Sequence, residues 1–459
     1  MTVRPFTEKL DAKSEPFGIF LPAIKRVLSI ISYYSTLTFA NKAHYRYTEV
    51  MKIWIKYIIG IVLGILAGLI LPTESPAVQA AITSVSEFVM HFGRYTLLPL
   101  ILFGVSSAVY TLRSNKNIVK TSFWTVATII GSSFLVAAIG LISILIVTLP
   151  RIQITGEKIT ELATIDIKAL VMQLLPYSSF DALAGGAFLL PAFIFAGFAG
   201  GGCTTDEVSS RPVITFIQSA SKLFYSIMSF FVDWLSVGMI AVAACWMSST
   251  KAIFAGGIFT PLTLMLLVDF ILIVVIIYPL ILRFLCKDMR PWHVLYATIC
   301  PVLAAFFSGD SNLALQINWR HGRESLGIHS DVSDVTFPLF SIFGRGGAAL
   351  ASSICFVVIL RSYSPLGLKI FDVMWIFVMS FGLSFALGAI PQGASFVALT
   401  VLCTVYSRGF DAGYLLLRPA VPVFCSFAAA IDAASAMFGS YIVGVKIQRI
   451  QHIELKHYI

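Results

Sequence analysis

The feature that most constrains this chain is a series of apolar segments long enough to cross a lipid bilayer. The first, MKIWIKYIIGIVLGILAGLILP (Met51–Pro72), has about the 20 residues that a spanning helix needs. Gly60, Gly64 and Gly68 recur every fourth residue within it and predict close packing against another helix. Further apolar segments of this kind are predicted at residues 87–111, 121–149, 187–200, 212–248 and 254–285.

The composition indicates that lipid is the solvent of most of the chain. Hydrophobic residues make up 58% of the 459 residues and charged residues only 12%, with a mean hydropathy of +0.89. A soluble protein carries about 25% charged residues. The net charge of +9 comes from Lys and Arg in short loops, and no nucleic-acid-binding motif is visible. The seven cysteines form no C-x-x-C pair and are expected to be buried, inert thiols.

The chain divides into three parts by composition. Residues 1–50 are mixed in charge and are interpreted as an N-terminal extension ahead of the working chain, with an interfacial amphipathic helix as the alternative. Residues 51–446 form the membrane domain and residues 447–459 a cytoplasmic tail. Basic residues cluster at one set of segment ends, which places both termini in the cytoplasm and residues 151–185 outside. We therefore expect a multi-pass protein of the plasma (inner) membrane, surrounded by lipid.

The last third of the chain differs because polar and glycine-rich patches interrupt its apolar segments. A hairpin-like segment followed by a broken or polar-substituted helix occurs twice, and the two hairpins are predicted near residues 293–326 and 373–407. Irregular backbone at membrane depth survives only where it is buried in protein or lines a cavity. Paired interruptions of this kind indicate the binding site of a transporter. The patches are FFSGDSNLALQIN with Asp310 and Asn312, FGRGGA with Arg345, LGAIPQGASF with Pro391 and Gln392, and AAAIDAASAMFGSY with Asp432.

These patches and their order resemble the dicarboxylate/amino-acid:cation symporter family, the glutamate-transporter homologues, from about Lys52 to Val445. The resemblance is carried by LPYSSFDALAGGAFLLPAFIFAGFAG at 175–200, GRESLGIHSDVSDVTFPLFSIFGRGGAAL at 322–350 and SFALGAIPQGAS at 384–395. It implies an all-α polytopic membrane protein with eight transmembrane helices, two re-entrant hairpins and a homotrimeric assembly. It also implies a scaffold, mainly 52–149 and 187–249, and a mobile transport core, mainly 121–149 and 254–446.

The sequence departs from the family at the residues that hold ions and substrate. Where the family's seventh helix breaks with Asn-Met-Asp-Gly-Thr, residues 344–348 read Gly-Arg-Gly-Gly-Ala. The serine-rich tip of the family's first hairpin appears as SGDSNLALQ at 308–316. Of the polar residues expected in the eighth helix only Asp432 is present, and the other positions are occupied by Ala436, Gly439, Val443 and Ile447. The resemblance assigns these missing side chains to sodium and substrate.

Arg345 is the residue that these departures single out. A guanidinium about 4 Å from a sodium ion would cost roughly 4 kcal/mol at an effective dielectric near 20. Arg345 is interpreted as a carboxylate-binding residue, helped by free backbone amides at Gly346 and Gly347; the alternative is a structural arginine paired with Asp310 or Asp432. Asp432 is expected to be the partner of Arg345, with a protonatable carboxylate as the other interpretation.

The remaining candidates surround Arg345 in the resembled site. Asp310 and Asn312 either hold a substrate amine and a polar group or cap a half-helix, and the sequence does not decide between these roles. No metal site is assigned beyond the backbone carbonyls of Gly344 and Gly346, and no cofactor is expected. The predicted substrate-binding residues are Ser308, Asp310, Ser311, Asn312, Arg345, Gly346, Gly347, Pro391, Gln392, Gly393, Asp432 and Ser435.

Three classes of function follow from the sequence. The leading hypothesis is a secondary active transporter that moves a small carboxylate-bearing solute, an amino acid or a dicarboxylate, by alternating access. Its sodium coupling is predicted to be altered or absent, with exchange or proton-linked uptake in its place. A non-transporting sensor or structural member of the fold is the second class. A membrane enzyme is the third, although no nucleophile and base pair is visible.

Overall fold

The structure is a computed structural model, and it is helical almost throughout the residues it describes. No strand occurs among these residues, only two isolated bridges. The predicted extension 1–50 and Pro391 lie outside them. The described residues are 52–71, 75–152, 178, 189–287, 291–363, 369–390, 392–406, 412–454 and 458–459.

The first half of the described chain forms eight helices, and most of the residues between the fourth and the fifth lie outside the described part. A π-helical segment, Leu272–Ile277, separates the last two of them. The helices are α1 Ile53–Ile70, α2 Pro76–Arg94, α3 Leu97–Ser114, α4 Ile118–Ile146, α5 Leu189–Gly202, α6 Arg211–Gly256, α7 Thr260–Ile271 and α8 Tyr278–Leu285.

The second half consists of seven helices, of which all but the last have 18 residues or fewer. A 3₁₀ turn, Gly413–Ala420, leads into the last helix. The helices are α9 Trp292–Ser308, α10 Ser311–Glu324, α11 Ser330–Phe343, α12 Gly346–Tyr363, α13 Ile370–Ala386, α14 Ala394–Tyr406 and α15 Val421–Lys446. Two helix pairs, α9/α10 and α13/α14, occupy the segments predicted as hairpins, and α11 and α12 occupy the predicted broken helix.

Seven helical segments among the described residues are long and apolar enough to cross a membrane. This confirms the all-α polytopic membrane class. Four further apolar helices are shorter than a full span, and they are α5, α9, α13 and α14. The broken pair α11 and α12 is buried on nearly all sides, so it occupies the interior of the helical assembly.

The helices pack in two sets. In one set, α1, α2 and α3 pack against the long helix α6, and α5 packs on α3. In the other, α12 lies between α4, α14 and α15, while α9 and α11 also pack on α15. The two sets meet along α10 and α11, which contact α2, α3 and α6. The polar residues of the interrupted segments therefore lie within the second set, next to the surface where the sets meet.

The glycine row of α1 packs tightly against α6, as the sequence predicts. A Cβ atom at Gly60 would lie 2.4 Å from the Ser236 carbonyl oxygen, and one at Gly64 would lie 2.4 Å from the Ile240 carbonyl oxygen. Atoms cannot approach this closely, so only glycine permits the observed helix separation. The exposed side of α1 carries apolar residues such as Leu63 and Leu66, which suit contact with lipid.

The predicted start of the second segment at residue 87 is wrong, because α2 begins at Pro76. The residues that hid this start are polar. Thr83, Ser86 and Glu87 line a cavity instead of facing lipid or the apolar core. A helix with one face toward a cavity does not need a continuous apolar sequence, so a prediction from hydropathy makes it shorter than it is.

Candidate functional site

The tips of the two helix pairs meet beside a cavity, where Asp310 is buried and Gln392 is exposed. Gly309 ends α9 with a left-handed backbone conformation (φ 60°), and Asp310 then begins α10. Asp310 forms an isolated antiparallel bridge with Gln392, at the tip between α13 and α14. Gly393 at that tip also has a positive φ of 68°. The two tips are thus held together by their backbones, directly beside the break between α11 and α12.

The break between α11 and α12 is two residues long, at Gly344 and Arg345. Its glycines are required by close packing. A Cβ atom at Gly346 would lie 2.9 Å from Ser133 Cα in α4, and one at Gly347 would lie 2.3 Å from the Ala428 carbonyl oxygen in α15. The backbone N–H of Gly347 donates a 2.6 Å hydrogen bond to Asp432 Oδ1. The prediction of a free amide at Gly347 is therefore wrong, because the Asp432 carboxylate occupies it.

Arg345 is buried, with 2% of its surface exposed. Its Nη1 donates a hydrogen bond to Ser311 Oγ at the start of α10. Its Nε and Nη2 have no hydrogen-bond partner among the described residues. Asp310 and Asp432 are near enough to act on the charge of Arg345, yet neither forms an ion pair with it within the described chain. The structure therefore leaves two guanidinium nitrogens unused in the interior, which is costly unless a ligand takes them up.

The side chain of Asp310 pairs with Arg94, a residue that the sequence did not single out, and not with Arg345. Arg94 at the end of α2 places Nη2 2.5 Å and Nε 2.6 Å from Asp310 Oδ2. The other oxygen, Oδ1, accepts a 2.9 Å hydrogen bond from the backbone N–H of Asn312. Asp310 is thus the N-cap of α10, which is one of its two predicted roles. The partner Arg94 was missed because it lies more than 200 residues away in the sequence.

A small cavity lies against Arg345 and is lined by both polar and apolar side chains. Its volume is about 10 Å³, which is room for one water molecule. Asn318 contributes an Oδ1 atom with no hydrogen-bond partner among the described residues, while its Nδ2 donates to the Ala433 carbonyl. Asp432 contributes its carboxylate. The lining residues are Ser311, Leu315, Asn318, Phe337, Phe340, Ser341, Arg345, Asp432, Ala433 and Ala436.

The cavity therefore combines donors on one side with acceptors on the other. Arg345 supplies unpaired N–H groups, and Asn318 and Asp432 supply oxygens. A guanidinium binds a carboxylate with two parallel hydrogen bonds, while carboxylate and amide oxygens accept from an ammonium group. This arrangement suits a zwitterion. Asn318 could have been found from the sequence, because it follows Ser311 by seven residues and so lies on the same face of α10.

A second, larger cavity of about 360 Å³ lies beside the tips of the two helix pairs. A volume of this size is typical of small-molecule pockets. Ser308 and Gly309 of one tip and Gln392 and Gly393 of the other line it, opposite the polar face of α2 with Glu87, His91 and Arg94. The tip of α9/α10 thus separates the large cavity from the small one, since Ser311 lines only the latter.

The predicted site residues thus fall into separate places. Ser311, Arg345 and Asp432 line the small cavity, and Asn312 lies next to it, where its Oδ1 accepts a 3.0 Å hydrogen bond from Ser341. Ser435 lies outside this lining and contacts Tyr278 Oη at 2.5 Å. Gly344, Gly346 and Gly347 shape the break. Ser308, Gln392 and Gly393 line the large cavity, and Pro391 lies outside the described residues.

The run Arg320–Glu324 has a sequence typical of a solvated loop, but it forms the end of α10. Arg320 is buried and places Nη1 3.0 Å from Asp233 Oδ1 in α6. Glu324 accepts a 2.9 Å hydrogen bond from Tyr225 Oη of the same helix. These contacts fasten α10 to α6. The interpretation of this run as a solvated loop is wrong, because its partners on α6, Asp233 and Tyr225, are distant in the sequence.

Comparison with known proteins decides the family. A family model described as the sodium:dicarboxylate symporter family matches residues 53–445. The chain belongs to this family. It is also 24% identical over 323 residues to the serine/threonine transporter SstT of Lacticaseibacillus paracasei and to that of Lacticaseibacillus casei, covering 67% of this chain and 69% of each relative.

Family membership makes this protein a membrane transporter and rules against the membrane enzyme. It also raises the question of a sodium site. The residues at the helix break do not fit one well, since Gly344–Ala348 carry no carboxylate and Arg345 places a cation among them. Asp432 is the acidic side chain beside the break, and its Oδ1 is already bonded to Gly347. No cluster of three or more His, Cys, Asp or Glu side chains suited to a metal ion occurs among the described residues.

Proposed function

We propose that this protein is a secondary active transporter for a small amino acid, with Arg345 as the residue that binds the substrate carboxylate. The observation that carries the proposal is the pair of unused nitrogens on a buried guanidinium. Asn318 and Asp432 face the same cavity and would accept from the substrate ammonium group. A dicarboxylate would instead place its second carboxylate against Asp432, which is unfavourable. The amino acid therefore fits better than the dicarboxylate.

Substrate binding requires the core to open. The cavity at Arg345 holds about one water molecule, whereas an amino acid is several times larger. The large cavity adjoins it across the tips of the two helix pairs, where Asp310 bridges to Gln392. We propose that the tips part to join the cavities and that the arrangement described above is the closed, substrate-free state. Ser308, Gln392 and Gly393 then line the entry to the site.

The proposed architecture has eight transmembrane helices and two re-entrant hairpins. The pairs α9/α10 and α13/α14 are the hairpins, because their helices are too short for a full span and their tips meet through the bridge between Asp310 and Gln392. The set around α6 is the scaffold, and the set around α12 and α15 is the mobile core. Basic side chains at 113, 116, 120, 283, 287, 446 and 449 favour cytoplasmic termini in a plasma (inner) membrane protein. A homotrimer is the proposed assembly.

Sodium coupling is proposed to be altered or absent. Arg345 stands where a sodium site would need neutral or negative ligands, and the oxygen atoms of the break are backbone carbonyls alone. The positive charge of Arg345, with Asp432 nearby, replaces a bound cation as the countercharge of the substrate carboxylate. Transport then proceeds as exchange or with a proton.

Uptake into proteoliposomes tests the proposal. Labelled L-serine, L-threonine and succinate are supplied to purified protein, with sodium present or fully replaced by choline. We expect saturable uptake of an amino acid, weaker uptake of succinate, and little change on removing sodium. A steep, saturable sodium requirement would show that the carbonyls of the break still form a cation site. Absence of both uptake and exchange for all three solutes would favour a non-transporting member of the fold.

A further inference from the structure

Another buried carboxylate, that of Asp269, lies away from the site described above. Asp269 on α7 is 2% exposed, although Val268 and Ile271 beside it point outward. Within the described residues its side chain accepts one hydrogen bond, from Ser143 on α4, whose Oγ lies 2.8 Å from Asp269 Oδ2. No basic side chain pairs with it within the described chain. An ionised carboxylate without a countercharge is expensive inside a membrane, and such residues mark ion or proton pathways.

The contact between Ser143 and Asp269 can exist in two protonation states. Ser143 Oγ also lies 2.9 Å from the Gly140 carbonyl oxygen. A hydroxyl group has one hydrogen but can accept as well as donate. When the hydroxyl donates to Asp269, the carboxylate is ionised. When the hydroxyl donates to Gly140, the hydrogen between Ser143 and Asp269 must come from a protonated carboxyl group. Both states keep the hydrogen bond between Ser143 Oγ and Asp269 Oδ2, so the site can gain and lose one proton without breaking this contact of α4 with α7.

The charged and titratable groups of the neighbouring elements leave this carboxylate without a competing partner. Arg361 donates to the Ile144 carbonyl, one residue from Ser143, and makes no ion pair with Asp269. The elements packed on α7 are α4, α15 and the π-helical segment. The titratable groups on α4 and α15 are Lys120, Cys425, Asp432, Tyr441 and Lys446. Those on α8, which follows the π-helical segment, are Tyr278 and Arg283.

The π-helical segment links this carboxylate to the helix that carries the substrate site. Asp269 and Tyr278 are nine residues apart, which in an uninterrupted α-helix is two and a half turns and places them on opposite faces. The wider turn of Leu272–Ile277 changes that rotation, and both side chains are buried, at 2% and 4% exposed. Tyr278 then contacts Ser435, one turn after Asp432. Isolated π-helical turns occur often at functional sites.

We infer that Asp269 and Ser143 form a proton-binding site of the transport core, and that the proton bound there is the coupling ion. The proton adds to the Asp269 carboxylate on one side of the membrane, giving a neutral carboxyl group, and leaves it on the other. Ser143 lies on α4, which belongs to the set of helices proposed to move, and α7 packs on α4 and α15 of that set, so the proton travels with the core. This inference rests on the proposed transport function for its coupling, but proton binding itself does not.

Infrared difference spectroscopy tests the proton site without any substrate. A pH jump on the purified full chain is expected to produce a carboxyl C=O band that is absent in Asp269→Asn and retained in Asp206→Asn. Asp206 lies in an exposed loop and serves as the matched control. A band that persists unchanged in Asp269→Asn would overturn the site. This result stands whether or not the protein transports L-serine.

Uptake of labelled L-serine into proteoliposomes tests the coupling. An inward gradient of one pH unit can support about tenfold accumulation of a solute that moves with one proton. We expect this accumulation in the parent protein and its loss in Asp269→Asn, while exchange of internal for external L-serine continues and shows that the variant is folded. Gradient-driven accumulation that survives in Asp269→Asn, or its absence in the parent protein, would overturn the assignment of the coupling ion. Absence of exchange as well would contradict the proposed function, and the infrared result would still decide the proton site.

Discussion

Arg345 is the residue on which substrate binding is expected to depend most. Its Nε and Nη2 can bind a carboxylate in parallel, whereas lysine offers a single ammonium group on a flexible stem. Replacing Arg345 with Lys should weaken L-serine binding by about 1.5–3 kcal/mol, or roughly 10- to 150-fold. Isothermal titration calorimetry on purified protein measures this change. Arg361→Lys is the control, since Arg361 donates to the Ile144 carbonyl far from the cavity.

Unchanged affinity in Arg345→Lys would show that Arg345 has a structural role. Its contact with Ser311 would then be what matters, and Ser311→Ala should lower the unfolding temperature more than it weakens binding.

Arg94 and Asp310 make a second prediction at the scale of single residues. The Asp310 side chain is fully buried and that of Arg94 is 28% exposed. Removal of Arg94 would therefore leave the Asp310 carboxylate buried without its ion-pair partner. Arg94→Leu should destabilise the protein by about 3–5 kcal/mol, the usual effect of removing one partner of a buried pair. Asp310→Asn in the same chain should recover part of this loss, because the asparagine is neutral and still caps α10. Thermal unfolding in detergent measures both, and equal unfolding temperatures for the single and double variants would contradict the assignment.

The sequence predicts residues within one segment better than partners between segments. Arg345, Asp310 and Asp432 stand out because charge is rare in apolar segments, and the structure places all three at the helix break or tip. Arg94 and Asn318 were missed for different reasons. Arg94 pairs with a residue 216 positions away, which no local pattern reveals. Asn318 shows only as a position on the Ser311 face of α10, a signal that becomes useful once that helix is known to line a cavity.

Among the elements, the contact between α1 and α6 is close along a row of glycines and sensitive to added volume. A methyl group at Gly64 would meet the Ile240 carbonyl oxygen at 2.4 Å and Ala243 Cβ at 2.7 Å. Gly64→Ala should therefore cost about 1–3 kcal/mol of stability, as overpacking does. Gly131→Ala in α4 is the matched control, because no atom lies within 4 Å of a Cβ placed there. It should be neutral or stabilise the helix by up to about 1 kcal/mol.

Thermal unfolding of the two alanine variants compares them directly. Equal unfolding temperatures would mean that α1 and α6 can separate at no cost, and the glycine row would then have no packing role.

The elements were predictable to the extent that their hydropathy was uniform. The broken pair α11/α12 and the two short helix pairs lie where glycine and proline interrupt apolar runs, and the structure agrees closely there. The start of α2 and the end of α10 were misjudged, since their polar residues face a cavity and another helix. In both elements a charged side chain faces an internal partner or a cavity. Hydropathy distinguishes only lipid-facing from water-facing residues, so it cannot predict such contacts.

For the whole molecule, the proposed motion requires the contacts between α10 and α6 to break and re-form. Arg320 contacts Asp233, whose side chain is 42% exposed, so the pair contributes about 0.2–1 kcal/mol. That is small enough to be reversible and large enough to bias the position of the core. Asp233→Asn should shift the population away from the arrangement described above by up to about fivefold.

Double electron–electron resonance between spin labels can measure this shift in the full chain. Labels at Lys222 on α6 and Met374 on α13 report the separation of the two helix sets, and both positions are exposed. The expected result is a second distance population that grows in Asp233→Asn and stays constant in Glu207→Gln, a loop variant before α6. Because the labels lie on the two sets proposed to move against each other, a single unchanged distance in every variant would mean that the sets form one rigid body. The proposed motion of the core, and with it the transport of a proton on Asp269, would then have no structural basis.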